Sequence, residues 1–294
     1  MSQKNKLKVL ILGSSGLLGH VLFNQLLKDD RYLIFGTIRR ESDRLHFPRK
    51  AEKNLFVIED ILDNKSLLQL FSSCNPDILI NCISVDRAHW GNYHLMRSIF
   101  VLLPNQIYNF CLKFDCRFIQ ISSDGIYSGN KGGYSELDIP DAKDDYGKLK
   151  YEGEINGTNC LIIRTSIIGH EINRKTNFLD WFLYQHKECF GHVNEIFSAL
   201  TSLELAYIFS NILIPDETLS GIYNISSAPI SKYDLLCKIA LIYKKNINIL
   251  PKYEPVSNRS LDSTKFYNKT KYFHPSWDMM LKNIFFNHMN YYNS

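Results

Sequence analysis

Two residues in this chain have the types and the spacing to move a proton. Tyr146 and Lys150 stand four apart inside Asp144-Asp145-Tyr146-Gly147-Lys148-Leu149-Lys150-Tyr151-Glu152-Gly153-Glu154. In a helix, positions four apart share a face. An ammonium beside a phenol favours the phenolate and lowers its pKa. Such a tyrosine gives or takes a proton near neutral pH. Asp144 and Asp145 suit a helix N-terminus, where carboxylates accept bonds from unpaired amides. The same spacing also occurs on plain exposed helices, so what stands upstream decides its meaning.

Upstream, Arg117 to Ser122 reads as a strand that runs into Ser123-Asp124-Gly125. A hydroxyl at a strand's carboxyl end can bond a substrate carbonyl while a tyrosine protonates it, although such a serine by itself is usually a turn former. Near the start, Lys8 to Leu12 reads as a buried strand followed by Gly13-Ser14-Ser15-Gly16-Leu17-Leu18-Gly19. Leu17, Leu18, Val21, Leu22, Leu26 and Leu27 then recur at helical spacing. Gly-x-x-Gly-x-x-Gly between a strand and a helix is the context of a dinucleotide-binding turn. Gly13 permits the turn, Gly16 lets backbone approach a pyrophosphate, and Gly19 lets the helix lie against the strand. The free amides of the helix start then hold the negative charge.

Cofactor choice is read at the end of the second strand, Tyr32 to Ile38. An acid there would bind the ribose hydroxyls of NAD. The sequence instead reads Gly36-Thr37-Ile38-Arg39-Arg40. A guanidinium pairs well with a phosphate, so NADP is favoured over NAD. Glu41 and Asp43 follow closely and could neutralise the pair. After a third strand, Leu55 to Ile58, Asp60 could bond the adenine amino group. The fourth strand, Ile78 to Ser84, is apolar, as a strand covered on both faces should be. Its carboxyl end, Cys82 to Asp86, falls where ligands bind in open α/β sheets.

The elements that must hold these groups alternate strand and helix, which predicts an α/β fold with a Rossmann-type parallel sheet. Residues 1–167 form the expected dinucleotide-binding domain, joined by a returning segment at about 196–226, and 168–294 a smaller C-terminal α/β substrate domain. Met96 to Phe114 reads as a long helix that bends or begins at Pro104. Leu161 to Ile167 is a sixth strand, and Ser231 to Tyr243 a helix capped by Ser231. Trp181 and Trp277 are read as core, with a sugar or base face as the alternative.

The totals exclude several classes. The 294 residues are 45% hydrophobic and 22% charged, enough for a sizeable core. A net charge of +4 with no basic block gives no call for nucleic acid. No apolar run approaches the ~18 residues of a membrane span. Met1 to Lys8 carries three lysines and no apolar stretch of signal-peptide length. The seven cysteines include no Cys-x-x-Cys, which fits free thiols in a reducing cytoplasm. No Cys/His cluster has zinc spacing.

Taken together, Gly-Ser-Ser-Gly-Leu-Leu-Gly, Ile-Ser-Ser-Asp-Gly-Ile-Tyr-Ser-Gly, Tyr-Gly-Lys-Leu-Lys-Tyr-Glu-Gly-Glu and Ile163-Arg164-Thr165-Ser166 resemble an extended short-chain dehydrogenase/reductase. The chain is most similar to the dTDP-4-dehydrorhamnose reductase-like branch, which acts on nucleotide sugars. Asn258-Arg259-Ser260-Leu261-Asp262-Ser263 loosely resembles that branch's Arg-x-x-Ser-x-Leu segment. The resemblance implies a catalytic trio of Ser123, Tyr146 and Lys150. It places Gly13, Ser14, Ser15, Gly16, Leu17 and Leu18 at the pyrophosphate, and Thr37, Arg39 and Arg40 at the adenosine ribose. Asp60 and Ile61 would meet adenine, and Cys82, Ile83 and Ser84 would run along the cofactor. Val85, Asp86, Ser123, Asp124 and Arg259 are the implied substrate contacts, with no metal. A homodimer is common in such a family.

The activity so implied is NADPH-dependent reduction of a 4-keto group on a nucleotide-linked deoxysugar, in the synthesis of cell-surface polysaccharide precursors. Two alternatives stand beside it. Dehydratases of this family place an Asp-Glu pair after the serine or threonine, and Asp124-Gly125 lacks the second carboxylate, but an epimerase uses the same Tyr and Lys. A non-catalytic NADP-binding regulatory subunit is the other. Its support is a departure: many members carry an asparagine, part of a proton relay, on the helix that here starts near Met96. In this register that position falls near Phe100, and no asparagine lies between Tyr93 and Pro104.

Overall fold

The first strand, β1 (Leu7–Leu12), is fully buried from Val9 to Leu12, as its aliphatic run predicts. It lies in the interior of the sheet, not at an edge. This is a computed structural model that describes residues 6–292, so the first part of the Met1 to Lys8 stretch lies outside the described residues. The further strands are β2 (Tyr32–Ile38), β3 (Leu55–Val57), β4 (Ile78–Asn81), β5 (Arg117–Ser123), β6 (Cys160–Thr165) and β7 (Gly221–Asn224). They form one seven-stranded sheet in the order β3-β2-β1-β4-β5-β6-β7. The pairs β1–β2, β2–β3, β1–β4 and β4–β5 are all parallel. The fold is α/β with a Rossmann-type parallel sheet, as expected.

The chain divides into two compact units. The first holds the chain up to Ile121 together with Leu149–Ile162 and Ala206–Gly221. The second holds Ser122–Lys148, Ile163–Leu205 and the chain from Ile222 on. The chain passes from one to the other inside β5, α5 (Asp145–Glu152), β6 and β7.

In the first unit, α1 (Gly19–Leu26) buries Leu22, Phe23 and Leu26. Helix α2 (Asn64–Cys74) is capped by the Asp63 carboxylate, which accepts from the amides of Lys65 and Ser66. It stops at Asn75, which takes a left-handed φ of 42°, and Pro76 follows. The long helix differs from its expectation. It starts as α3 (Tyr93–Arg97), passes through a π turn at Ser98–Leu102 and continues as α4 (Leu103–Lys113). Pro104 sits in the first turn of α4, one residue past its start, as the alternative of a helix beginning there expects. Proline has no N–H for the carbonyl four residues back, and the chain meets that loss by widening one turn. The Leu103 amide reaches back five residues to the Ser98 carbonyl.

Among the described residues, the second unit carries short strand pairs and the helices α6 (Phe178–Tyr184), α8 (Lys232–Ile242), α9 (Thr264–Thr270) and α10 (Trp277–Tyr292); α7 (Ser202–Ile208) spans the boundary. Asn177 caps α6 and Ser231 caps α8. Glu188–His192 pairs in parallel with Asn248–Lys252. Trp277 is buried and its indole N–H donates to the Ala228 carbonyl at 2.8 Å, so it is core. Trp181 is 38% exposed. No helix among the described residues is long and apolar enough to cross a membrane. All seven cysteines are free thiols.

Candidate functional site

The glycine turn has the geometry that its sequence predicts. Gly13 sits at φ +77°, a left-handed conformation that side chains resist. Its amide donates to Thr37 Oγ1 at 2.9 Å, and the Ser14 amide to the Thr37 carbonyl at 2.8 Å. Thr37 is buried, so the two bonds fasten the turn to the end of β2. Ser14 is fully buried and its hydroxyl bonds the Ile11 carbonyl. A Cβ on Gly19 would run into the Gly13 carbonyl. Helix α1 therefore begins hard against β1, and its N-cap residue, Leu18, makes no side-chain cap bond. Ser15, Gly16 and Leu17 are at least partly open to solvent, while Leu18 is buried. A left-handed glycine, a close backbone approach and a helix start whose N-cap residue makes no side-chain bond suit a pyrophosphate.

Arg39 and Arg40 are both exposed at the end of β2. Arg40 reaches the buried carboxylate of Asp43 at 3.3 Å, and Glu41 pairs with Arg44 at 2.5 Å. Asp60 is exposed and accepts the Leu62 amide at 2.9 Å; Ile61 is half-buried. Beyond β4, Asn81 accepts the Ile83 amide, Cys82 and Ile83 are half-buried and Ser84 is exposed. Burial pushes the Cys82 thiol up to about 12, so it stays protonated. Val85 is buried and its carbonyl takes the Trp90 indole N–H, while Asp86 accepts the Ala88 amide.

Lys150 closes the first unit's contribution. Its ammonium donates to the Ile121 carbonyl at 2.9 Å and lies 5.0 Å from the centre of the Phe100 ring. Burial lowers its pKa to about 8, with Glu154 acting in the opposite sense. Sequence reasoning named Phe100 only as lying near the position of an absent asparagine and missed its place beside the lysine. Pro104, four residues on, was the available signal for an irregular turn there.

In the second unit the hydroxyl and the phenol ring both approach Gly125. A Cβ built on Gly125 would lie 2.9 Å from Tyr146 Cε1 and 3.2 Å from Ser123 Oγ. Glycine at 125 thus lets Ser123 and Tyr146 flank one point. A Cβ on Gly147 would run into the Gly125 carbonyl, so the helix start rests on this turn. Asp144 accepts the Gly147 amide at 2.8 Å and caps α5. Ser123 is buried, accepts the Gly125 amide at 3.0 Å and donates to Asp124 at 3.3 Å. Burial pushes the Asp124 carboxyl up to about 6, against the pull of Arg259.

Arg259 is placed by a docked segment. The Asn258 amide donates to the Gly129 carbonyl at 2.7 Å, and the Tyr134 amide to the Ser260 carbonyl at 2.9 Å. Tyr134 stacks on Tyr127, ring centres 4.1 Å apart, and the Arg164 guanidinium donates to the Tyr127 hydroxyl at 2.8 Å. The Arg259 guanidinium lies 3.8 Å from Asp144, and its buried Nε has no hydrogen-bond partner within the protein. Three of the expected substrate-side groups, Ser123, Asp124 and Arg259, are therefore linked in one unit. No group of three or more metal-ligating side chains occurs among the described residues.

A sequence profile of the family described as the RmlD substrate binding domain matches residues 7–195. The chain belongs to this family. It is an extended short-chain dehydrogenase/reductase of the dTDP-4-dehydrorhamnose reductase-like branch. Its fold is similar to that of dTDP-4-dehydrorhamnose reductase from Bacillus anthracis str. Ames, solved in complex with NADP. There the TM-score is 0.80 at 21% identity, over 96% of this chain and 99% of that one. The Bordetella bronchiseptica enzyme WbmG, solved with NAD and UDP, gives a TM-score of 0.80 at 16% identity, over 98% and 96%. Among curated proteins, the chain is 22% identical over 252 residues to methionine adenosyltransferase 2 subunit beta of Danio rerio, spanning 79% of this chain and 73% of that protein.

Proposed function

We propose that this protein is an NADPH-dependent reductase of a 4-keto nucleotide-linked deoxysugar, acting in the supply of precursors for cell-surface polysaccharide. The observation that carries the reading is that Ser123 Oγ and the Tyr146 ring both flank the Cβ position of Gly125, with Lys150 one turn along the same helix. The first unit would hold the coenzyme through Gly13, Ser15, Gly16 and Leu17, with Asp60, Ile61 and the Cys82–Ser84 segment beside it. Arg39 and Arg40 would select the 2′-phosphate through charge-assisted bonds. The coenzyme, when bound, supplies the hydride. Ser123 would orient the substrate carbonyl, and Tyr146 would protonate the developing alkoxide. Lys150 would lower the Tyr146 pKa and hold the nicotinamide ribose. Asp124, Arg259, Val85 and Asp86 would contact the sugar and its nucleotide. Gly125 leaves no second carboxylate beside Asp124, which disfavours loss of water from the sugar.

The test is a panel of 4-keto nucleotide sugars with NADPH, followed by loss of the reduced-cofactor absorbance. Stoichiometric consumption is expected; conversion of the sugar without consumption would indicate an epimerase. Tyr146→Phe should lower turnover by a factor on the order of 10² to 10⁴ and leave NADPH affinity nearly unchanged. Arg39→Ala combined with Arg40→Ala should reduce the preference for NADPH over NADH by about tenfold or more.

A second reading is favoured by the curated relative, which is named as a subunit of another enzyme. In that reading the protein binds NADP and modulates a partner. Tight NADPH binding with no turnover across the panel, and co-elution with a methionine adenosyltransferase catalytic chain, would support it over reduction.

A further inference from the structure

Four features converge on one buried aromatic ring. Phe100 is 3% exposed and lies in the π turn at Ser98–Leu102. Its carbonyl is the one that Pro104, lacking an N–H, cannot serve. Gly153, at the end of α5, lies against that same carbonyl, and a Cβ there would overlap it. The Phe100 ring then faces the Lys150 ammonium at 5.0 Å, while the ammonium donates to the Ile121 carbonyl. The widened turn, the proline and the glycine thus fix the Phe100 backbone close to α5, and the ring closes over the lysine. π turns within α-helices frequently mark functional sites. A ring filling core volume alone needs none of these devices.

We propose that Phe100 is a positioning residue for Lys150: its ring face holds the ammonium toward the Ile121 carbonyl and keeps water from it, so that an aromatic group on the π turn sets the lysine's charge state. The consequence for turnover rests on the reductase reading; the contact itself does not. The ring has two opposed effects. Its quadrupole stabilises the ammonium, whereas its bulk denies the ammonium water. The charged group that acts on Lys150 is Glu154, one turn along α5, and it is unchanged in every variant below. Tyr146, one turn earlier, is the other titratable group named on that helix face.

The two effects separate in substitutions. Phe100→Leu keeps an apolar cover and loses the ring face, so the Lys150 midpoint falls. A cation–π contact of this kind corresponds to about 0.5 to 1 pH unit. Phe100→Tyr keeps the ring and leaves the midpoint in place. Phe100→Ala admits water and raises the midpoint toward the ordinary lysine value. The experiment is a ¹³C NMR titration of the Lys150 ε-methylene in the full chain, the signal assigned by its loss in Lys150→Arg, with thermal melting to confirm that each variant is folded. Downward, unchanged and upward midpoints in the Leu, Tyr and Ala variants are expected. A midpoint that is the same in wild type and Phe100→Leu, both folded, overturns the proposal. With a 4-keto nucleotide sugar that the protein turns over, the alkaline limb of the rate should move as the midpoint does. Shifted midpoints with no turnover in wild type would leave the positioning role standing and remove the reductase reading. Turnover with an unmoved midpoint would do the reverse.

Discussion

At Gly13–Gly19 a helix start is brought against the strand that precedes it; at Gly125 and Gly147 a helix start is brought against a turn far upstream in sequence. Both approaches are made of glycine, because a Cβ at Gly19 or at Gly147 would strike a backbone carbonyl. What differs is the use of the amides. The N-cap residue of α1 makes no side-chain cap bond, which leaves donors for an anion. At the other corner Asp144 takes the Gly147 amide and Ser123 takes the Gly125 amide. The donors there serve geometry, and in the proposed reading the side chains are left to do the chemistry. On that reading, close backbone contact makes an anion site in one place and a proton-transfer corner in the other.

The strongest way to break this comparison is Gly147→Ala. Forced against the Gly125 carbonyl and Ala142 Cβ, the methyl should destabilise the chain by about 1–3 kcal/mol, read as a drop in melting temperature. Turnover should fall with it, and NADPH affinity, measured by titration calorimetry below the melting range, should hold within about twofold. Gly19→Ala should show the complementary pattern: dinucleotide affinity weakened by about tenfold or more, because α1 must move from the turn. If each variant damages both properties equally, the two corners are not separate devices.

Smaller effects sharpen the picture. Asp144→Ala should cost about 1 kcal/mol through the lost cap on α5. Asp124→Asn probes the buried side of the corner. The Asp124 carboxyl is raised in the folded chain from 3.8 to about 6, so its charge opposes folding above pH 6. That opposition fades as pH falls through 6 and is gone below the unfolded value near 3.8. The amide that replaces the carboxyl carries no such charge. The variant should therefore melt higher than wild type above pH 6, by an amount worth about 1 kcal/mol given partial exposure, with the gap closing toward about pH 4. A gap that widens on acidification would contradict the assignment.

Much of the scaffold was legible before any coordinates. β1 and the glycine turn combine an aliphatic run, three spaced glycines and a following 3.6-residue periodicity, all within one short stretch, and local sequence dictates local structure there. Asp144 as cap of α5 and Ser231 as cap of α8 were legible for the same reason. The long helix through Phe100 was read as one element that bends or begins at Pro104. Its π turn escaped, because the sequence shows that Pro104 lacks a donor but not how the backbone absorbs the loss.

The amino-acid sequence by itself determined the α/β class, the strand–turn–helix at Gly13–Gly19 and the four-residue spacing of Tyr146 and Lys150, since each depends on neighbours in the chain. Only the tertiary structure decided that Ser123 and Tyr146 flank Gly125, that Arg259 lies near Asp144, and that Phe100 covers Lys150. These are contacts between residues distant in sequence. They are set by which backbones can approach closely and which side chains burial forces together, and no periodicity along the chain records them.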